Sequence, residues 1–259
     1  MEPLRAPPRN RHIYLLPNLL TTCGMFAGFY AILAAASGRF EHACVAVIVA
    51  GLFDGIDGRV ARLTGTSSEF GVQYDSLADL VSFGMAPALV MYHWALFALK
   101  TDGVLPGKIG WAAAFLYMAC AALRLARFNT QVAVVDKRWF IGLNSPSSAA
   151  LMVTFVWTMN DFGYSGNELR YAAVAMSVVC GLLMVSRIRY PSFKGGIKAD
   201  TPEGPRSERV PFWAMLLVVG FLIALTVDPP RVLLFTAASY AISGPGLWAW
   251  NRLRRKPAA

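Results

Sequence analysis

The apolar residues of the chain fall in long blocks rather than in an amphipathic rhythm, and blocks of about 20 residues mark bilayer spans. Eight such blocks stand out: Leu15 to Ala36, Phe40 to Leu63, Phe70 to Leu99, Ile109 to Phe128, Ser145 to Met159, Leu169 to Val185, Val210 to Val227 and Val232 to Trp250. The pattern predicts an all-α integral membrane protein, a polytopic bundle of about eight transmembrane helices joined by short connections. The fifth block is short and has room to begin earlier. Gly24 and Gly28 place two small residues one helical turn apart in the first block, a spacing that serves either a dimer face or close packing within the chain. The longest polar stretch, Ser186 to Arg209, is rich in Pro, Gly and basic residues and reads as a loop. No repeat or long linker divides the chain, so residues 1–259 read as a single membrane domain.

Composition agrees with that reading. Hydrophobic residues make up 56% of the chain and charged ones 15%, whereas soluble domains carry nearer a quarter. The block lengths argue against an unusually apolar soluble bundle. The first block is too long for a signal-peptide core and lacks an Ala-x-Ala end, so it is expected to remain as a span. The four cysteines, Cys23, Cys44, Cys120 and Cys180, lie inside apolar blocks without metal-type spacing and read as small buried hydrophobes.

Charge placement sets an orientation. Basic residues gather in the N-terminal arm (Arg5, Arg9, Arg11), after the second block (Arg59, Arg62), and after the fourth (Arg124, Arg127, Lys137, Arg138). They recur after the sixth (Arg187, Arg189, Lys194, Lys198, Arg206, Arg209) and at the C-terminus (Arg252, Arg254, Arg255, Lys256). Those nineteen of the 24 fall on one side of the membrane, leaving Arg39, Lys100, Lys108, Arg170 and Arg231 on the other. The positive-inside rule then makes both termini cytoplasmic, as an even number of spans requires. A net charge of +9 concentrated at span ends suits anionic lipid headgroups better than nucleic acid, for which no groove-reading motif is present.

Carboxylates stand where a membrane span should not have them. Of fifteen acidic residues, five lie between Asp54 and Asp79, and Asp54, Asp57, Asp75 and Asp79 fall inside the second and third blocks. Counted from the expected helix ends at about 1.5 Å per residue, Asp54 and Asp79 sit about 13 Å deep, Asp57 about 9 Å and Asp75 about 8 Å. A helical hairpin therefore brings the two pairs level. The i to i+3 and i to i+4 spacings keep each pair on one helix face. Each ionised Asp at mid-helix costs about 2.5–3.5 kcal/mol. Keeping several protonated relieves that cost; so do two divalent cations, four positive charges against four negative ones, with hard oxygen ligands suiting Mg²⁺ or Mn²⁺. Pairing with Arg59 and Arg62 for packing alone is the bland alternative, but two arginines do not neutralise four acids. Gly55, Gly58 and Ala61 leave room on the same helix, where a phosphate-bearing ligand can approach the backbone, and Arg62 stands at i+4 from Gly58 to grip a phosphate. Two metals and an arginine around a pocket describe phosphoryl transfer better than ion conduction.

These residues resemble the signature of the CDP-alcohol phosphotransferase family, Asp-x-x-Asp-Gly-x-x-Ala-Arg, then eight residues, then Gly-x-x-x-Asp-x-x-x-Asp. Each of its fixed positions is met, by Asp54, Asp57, Gly58, Ala61, Arg62, Gly71, Asp75 and Asp79. The resemblance covers roughly 15–190 and implies a catalytic six-helix core, followed by a cytoplasmic loop over 191–209 and two additional transmembrane helices over 210–250. It further implies that Asp54, Asp57 and Asp75 ligate the metals, and that Asp79 completes the second metal site and acts as general base. Gly58, Arg62 and Ser68 would contact the CDP diphosphate, with Ala61 and Gly71 at the same site, and Asn18 and Thr21 would contribute from the first helix. Helix capping is the alternative role for Asn18, Thr21 and Ser68.

Within the family, Tyr74 to Gly84 is similar to the phosphatidylserine synthase branch, whereas phosphatidylglycerophosphate synthases more often show Asp-Pro-x-Ala-Asp-Lys there. The stretches Arg124 to Asn129 and Arg187 to Lys194 resemble the same branch. The stretch from Phe140 to Pro146 departs from it, because Pro is commoner where Asn144 stands. The resemblance implies transfer of a phosphatidyl group from CDP-diacylglycerol to L-serine, with phosphatidylserine and CMP as products. It also implies a homodimer in a bacterial or archaeal cell membrane with a cytoplasmic active site. A serine carboxylate calls for a cation beside the metals, and Arg124, Arg127, Arg187 and Arg189 are the candidates; ordinary anchoring to lipid phosphates explains each of them equally well. The rival readings are the same chemistry on glycerol 3-phosphate, inositol or inositol phosphate, and, in another class, a divalent cation transporter.

Overall fold

A computed structural model of the chain describes residues 15–64, 68–131, 139–191 and 212–254. The eight apolar blocks are helical. The first two form α1 (Leu15–Ala36) and α2 (Phe40–Thr64). The third contains α3 (Glu69–Asp79) and α4 (Ala86–Trp94), and the rest form α5 (Val104–Gln131), α6 (Ser145–Asp161), α7 (Arg170–Val185), α8 (Phe212–Val227) and α9 (Pro229–Arg254). Four helical stretches, Leu16–Ala36, Glu69–Asp102, Val104–Thr130 and Pro229–Arg254, are long and apolar enough to cross a membrane, and two shorter apolar helices accompany them. The charge-bearing α2 holds Glu41, Asp54, Asp57, Arg59 and Arg62 and completes the bundle between α1 and α6.

The sequence predicts one continuous third span, and the structure breaks it. A π-helical turn, Leu80–Met85, separates α3 from α4, and a 3-10 segment, Leu96–Asp102, follows. The cause is Pro87, which has no N–H to offer the Phe83 carbonyl four residues back. The hydroxyl of Tyr117 on α5 donates to that oxygen instead, at 3.1 Å, and the Ala86 N–H reaches back five residues to the Val81 carbonyl. In lipid a freed backbone group needs such a partner. The break falls one residue after Asp79.

Small residues let the helices approach. Ala27, Ala31, Ala34 and Ala35 of α1 are buried with Ala43, Ala46 and Ala50 of α2, the packing that membrane helices favour. Gly24 and Gly28 are spent inside the chain: a Cβ on Gly28 would lie 2.7 Å from Ser82 Oγ and 2.8 Å from its Cα. The Ser82 hydroxyl donates to the Gly24 carbonyl at 3.1 Å, so α1 holds the π-helical turn directly. Phe26, Phe29, Leu52, Trp111 and Phe115 point outward, as does most of α8, whose main neighbour is α9. At the end of the bundle remote from the aspartates, Asp102 takes two bonds from Arg170 and one from Tyr171. Nearby, Arg231 bridges Asp161 and Asp228.

One element was not foreseen. β1 (Trp139–Ile141) pairs antiparallel with β2 (Arg189–Pro191), Phe140 opposite Tyr190, so the first six residues of the expected Ser186–Arg209 loop are ordered. β1 leads into α6 through Gly142, whose φ of 79° suits glycine and whose missing Cβ makes way for the Met184 carbonyl. Asn144, the position at which the sequence departs from the expected branch pattern, is the N-cap of α6 and accepts from the Ser147 N–H at 2.9 Å. A proline has no side-chain oxygen for that role. Cys23, Cys44, Cys120 and Cys180 are free thiols, the last three buried. Arg5, Arg9, Arg11, Lys137, Arg138, Lys194, Lys198, Arg206, Arg209, Arg255 and Lys256, with the 192–209 part of the loop, lie outside the described residues.

Candidate active site

The site is built where α2 ends and α3 turns back. Asp54 and Asp57 stand ten and seven residues before Thr64, and Asp75 and Asp79 six and ten residues after Glu69. At about 1.5 Å per residue these are depths of about 9–15 Å. The ligand oxygens of Asp54, Asp57 and Asp75 lie within 4.8 Å of one another. Asp79 stands outside that trio but lines a narrow crevice with Asp54 and Asp57, together with Thr21, Gly24 and Ser82.

Neighbouring helices orient these carboxylates. The Thr21 hydroxyl lies 2.9 Å from Asp57 Oδ2 and 3.1 Å from the Pro17 carbonyl, so α1 grips the most buried member of the trio. Thr22 donates to the Asn18 carbonyl at 2.7 Å. Its single proton being spent there, the Tyr74 hydroxyl is the donor in the 2.8 Å contact between them, which fixes the residue beside Asp75 to α1. From the other side, Asn129 at the end of α5 donates to Ser76 Oγ at 2.9 Å, so Asp75 is flanked by two tethered residues. Sequence reasoning singled out the segments carrying Tyr74, Ser76 and Asn129 but not these roles, because contacts 52 and 53 residues apart leave no local signal. The resemblance assigns Thr21 to the nucleotide, and the structure adds its bond to Asp57.

Beside the trio is a cleft of about 80 Å³. Six of the seven residues marked for the CDP-lipid, Asn18, Thr21, Gly58, Ala61, Ser68 and Gly71, line it together with Asp57. A Cβ on Gly58 would meet only open space, while one on Gly71 would lie 3.2 Å from Ser68 Oγ and 3.4 Å from Asn18 Oδ1. Ser68 also caps α3, accepting from the Gly71 N–H at 3.0 Å, so its capping role is real. Arg62, the seventh, is exposed one turn past Gly58, and Arg59 is exposed as well.

The four arginines marked for the acceptor separate. Arg124 is half-buried, donates from Nη1 to Ser145 Oγ at 2.7 Å, and has Asp79 as an electrostatic neighbour. Its Nε is buried without a hydrogen-bond partner. Arg127 reaches the Val185 carbonyl at 3.4 Å, and Arg187 and Arg189 are exposed.

Three carboxylates converging this closely, one of them buried, form a hard, all-oxygen donor set that fits a divalent cation. Positive charge there offsets the cost of placing like charges together below a membrane surface.

A cluster of aspartates at a helix hairpin, a small cleft beside it and a bundle of apolar helices describe a membrane transferase, and residues 14–188 match the model of the CDP-alcohol phosphatidyltransferase family. The chain belongs to that family and is an integral membrane protein. A CDP-diacylglycerol–serine O-phosphatidyltransferase of Helicobacter pylori is 41% identical over 182 residues, covering 70% of this chain and 74% of the relative. One of Mycobacterium leprae is 31% identical over 231 residues, 86% and 72% of the two chains. An archaetidylserine synthase of Methanothermobacter thermautotrophicus is 34% identical over 182 residues, 70% and 71%.

Proposed function

We infer that the chain transfers the phosphatidyl group of CDP-diacylglycerol to the hydroxyl of L-serine, releasing CMP and forming phosphatidylserine. The observation that carries this reading is the convergence of Asp54, Asp57 and Asp75 within 4.8 Å, with Asp79 on the same crevice as Asp54 and Asp57. The names of the relatives support the choice of acceptor.

Asp54, Asp57 and Asp75 would hold one divalent ion, and Asp79 would help hold a second, Mg²⁺ or Mn²⁺ in each case. When bound, such ions supply charge neutralisation for a diphosphate and its departing phosphate. The residues of the cleft, Asn18, Thr21, Gly58, Ala61, Ser68 and Gly71, receive the CDP moiety, with Arg62 at the rim. An apolar groove of about 870 Å³ along α1 and α2 runs from Thr22 and Phe53, next to the aspartates, to Tyr30 and Glu41, and gives the acyl chains a lateral path from the lipid. Arg124 binds the serine carboxylate and orients its hydroxyl, with Arg127, Arg187 and Arg189 as the other candidates.

Asp79 accepts the hydroxyl proton as the serine oxygen forms its bond to the lipid-linked phosphorus and the bond from that phosphorus to the CMP oxygen breaks. A carboxylate with a reference pKa near 3.9 is too weak a base to ionise a free alcohol beforehand, so proton transfer accompanies attack. The same reading divides the chain into a catalytic core over 15–190, a loop over 191–209 and two further spans over 210–250. It sets both termini and the site on the cytoplasmic side and includes a homodimer; reporter fusions at each terminus and the mass of the detergent-solubilised protein check those two statements.

The deciding experiment measures CMP release by purified protein with CDP-diacylglycerol and a panel of serine, glycerol 3-phosphate, inositol and inositol phosphate, with Mg²⁺, Mn²⁺ or chelator. Release with serine alone, abolished by chelator, is the expected result. Release with glycerol phosphate but not serine overturns the acceptor, and cation flux without CMP release overturns the enzyme.

A further inference from the structure

α5 lies along the aspartate-bearing segment in a register fixed at two points. A Cβ on Gly84, in the π-helical turn, would lie 3.3 Å from Ala121 Cβ, and Asn129 donates to Ser76 Oγ at 2.9 Å. Eight residues separate Ala121 from Asn129, and eight separate Ser76 from Gly84. The two segments therefore run antiparallel in step, and counting three residues on from Ala121 sets Arg124 opposite Val81. That is two residues from Asp79, about 3 Å along the axis. Arg124 stands at i+3 from Ala121, and Asp79 at i+3 from Ser76, so both lie on the faces that meet. Packing alone thus brings Arg124 to the edge of the aspartate site.

On its other side Arg124 meets a helix start that is tied down before it. The Gly142 N–H donates to the Ile188 carbonyl at 2.8 Å and the Leu143 N–H to the Leu183 carbonyl at 3.0 Å, and Asn144 caps α6. Ser145, the next residue, is fully buried, and its Oγ accepts from Arg124 Nη1 at 2.7 Å. A guanidinium carries five N–H donors. Nε is buried without a partner, which is costly for a charged group. Nε and Nη2 share the edge that grips a carboxylate through two parallel bonds. The bond to Ser145 engages Nη1 and leaves that edge for a ligand.

We propose that Ser145 is a positioning residue of the acceptor site, holding the Arg124 guanidinium by Nη1 so that its Nε–Nη2 edge takes the acceptor carboxylate in a fork. This deepens the serine reading above and rests on it. Ser145 touches no reacting atom; it acts through Arg124, and it gives the paired strands β1 and β2 a task, since they anchor the turn that presents it. The fork selects acceptors that carry a carboxylate over those that carry only a hydroxyl and an amine.

The test measures CMP release by wild type, Ser145→Ala, Arg124→Lys and the double variant, with L-serine and with L-serinamide, whose amide offers one acceptor oxygen where the carboxylate offers two. Wild type should prefer serine. Ser145→Ala should raise the KM for serine about threefold to tenfold and lower the preference for serine over serinamide by a similar factor. The KM for CDP-diacylglycerol and the Mg²⁺ half-saturation should not change. Arg124→Lys, which loses the fork, should lose the preference too, and adding Ser145→Ala to it should lower the preference no further. A Ser145→Ala enzyme that keeps the wild-type preference, or one whose KM for CDP-diacylglycerol rises with that for serine, overturns the proposal while leaving the serine reading intact. So does a wild type that accepts serinamide as well as serine. A wild type that does not turn over serine overturns both.

Discussion

Replacing Thr21 by Val keeps the outline of the side chain and deletes the hydroxyl that lies 2.9 Å from Asp57 Oδ2. Both residues are buried, with 7% and 5% of their surface exposed. A hydrogen bond to a charged group is worth about 1.5–3 kcal/mol, and about 1.4 kcal/mol is tenfold in a binding constant. Groups that orient metal ligands usually cost about 10- to 100-fold in metal affinity or activity when removed. The two scales agree on an effect of at least about tenfold. The assay is CMP release at saturating lipid and serine as a function of free Mg²⁺: Thr21→Val should shift half-saturation upward by that factor, and Thr21→Ser, which keeps the hydroxyl, should restore most of it. Because Thr21 also lines the cleft beside Asp57, the KM for CDP-diacylglycerol is measured at saturating metal. If the metal half-saturation is unchanged while that KM rises, Thr21 serves the nucleotide and the orienting role is refuted.

Asp79→Asn should abolish transfer yet leave metal-dependent binding of CDP-diacylglycerol partly intact, since Asp79 stands outside the converging trio; retained turnover would remove it as the base. Gly28→Val should destabilise the protein by about 1–3 kcal/mol through overpacking, because its Cβ meets Ser82 backbone at 2.8 Å; an unchanged Tm in detergent would contradict the close approach of α1 to the π-helical turn. Tyr117→Phe leaves the Phe83 carbonyl without its donor and should cost about 1–3 kcal/mol, read from the same melts; a wild-type Tm would mean the freed carbonyl is satisfied elsewhere. Arg170→Ala, which removes the exposed Asp102 bridge at the remote end, should leave turnover at the wild-type level, and a large loss of activity would show coupling between the two ends of the bundle.

The helical spans were legible because lipid enforces long apolar blocks with internally satisfied backbones, and each block named from the sequence is helical where it is described, the third in several pieces. The break after Asp79 was not legible. Its cause is the combination of Pro87 with Tyr117, 30 residues away, and no helical periodicity registers a donor arriving from another helix. β1 and β2 are three residues each, too short for an alternation signal, and Pro191 in β2 argues against a strand by composition. Within the site, Asp54, Asp57 and Asp75 were readable as a group because helical spacing and hairpin depth both act on them. The same count set Asp79 level with Asp54, and the two do share a crevice, but depth along a helix does not specify which oxygens meet. The four arginines looked equivalent because all sit near helix ends. The bond from Arg124 to the Ser145 hydroxyl at the start of α6 distinguishes it, and a contact between residues 21 apart on different helices lies beyond sequence spacing.

The central claim is that Asp54, Asp57 and Asp75 hold a divalent ion at the hairpin of α2 and α3. Equilibrium binding of Mn²⁺ to the purified protein, followed by the loss of the free-ion paramagnetic resonance signal, measures it without reference to turnover. Saturable binding that is displaced by Mg²⁺ and abolished in Asp57→Ala and Asp75→Ala, both still folded by their melts, is the expected result. Undiminished binding in those variants, or none in the wild type with CDP-diacylglycerol present, would contradict the account.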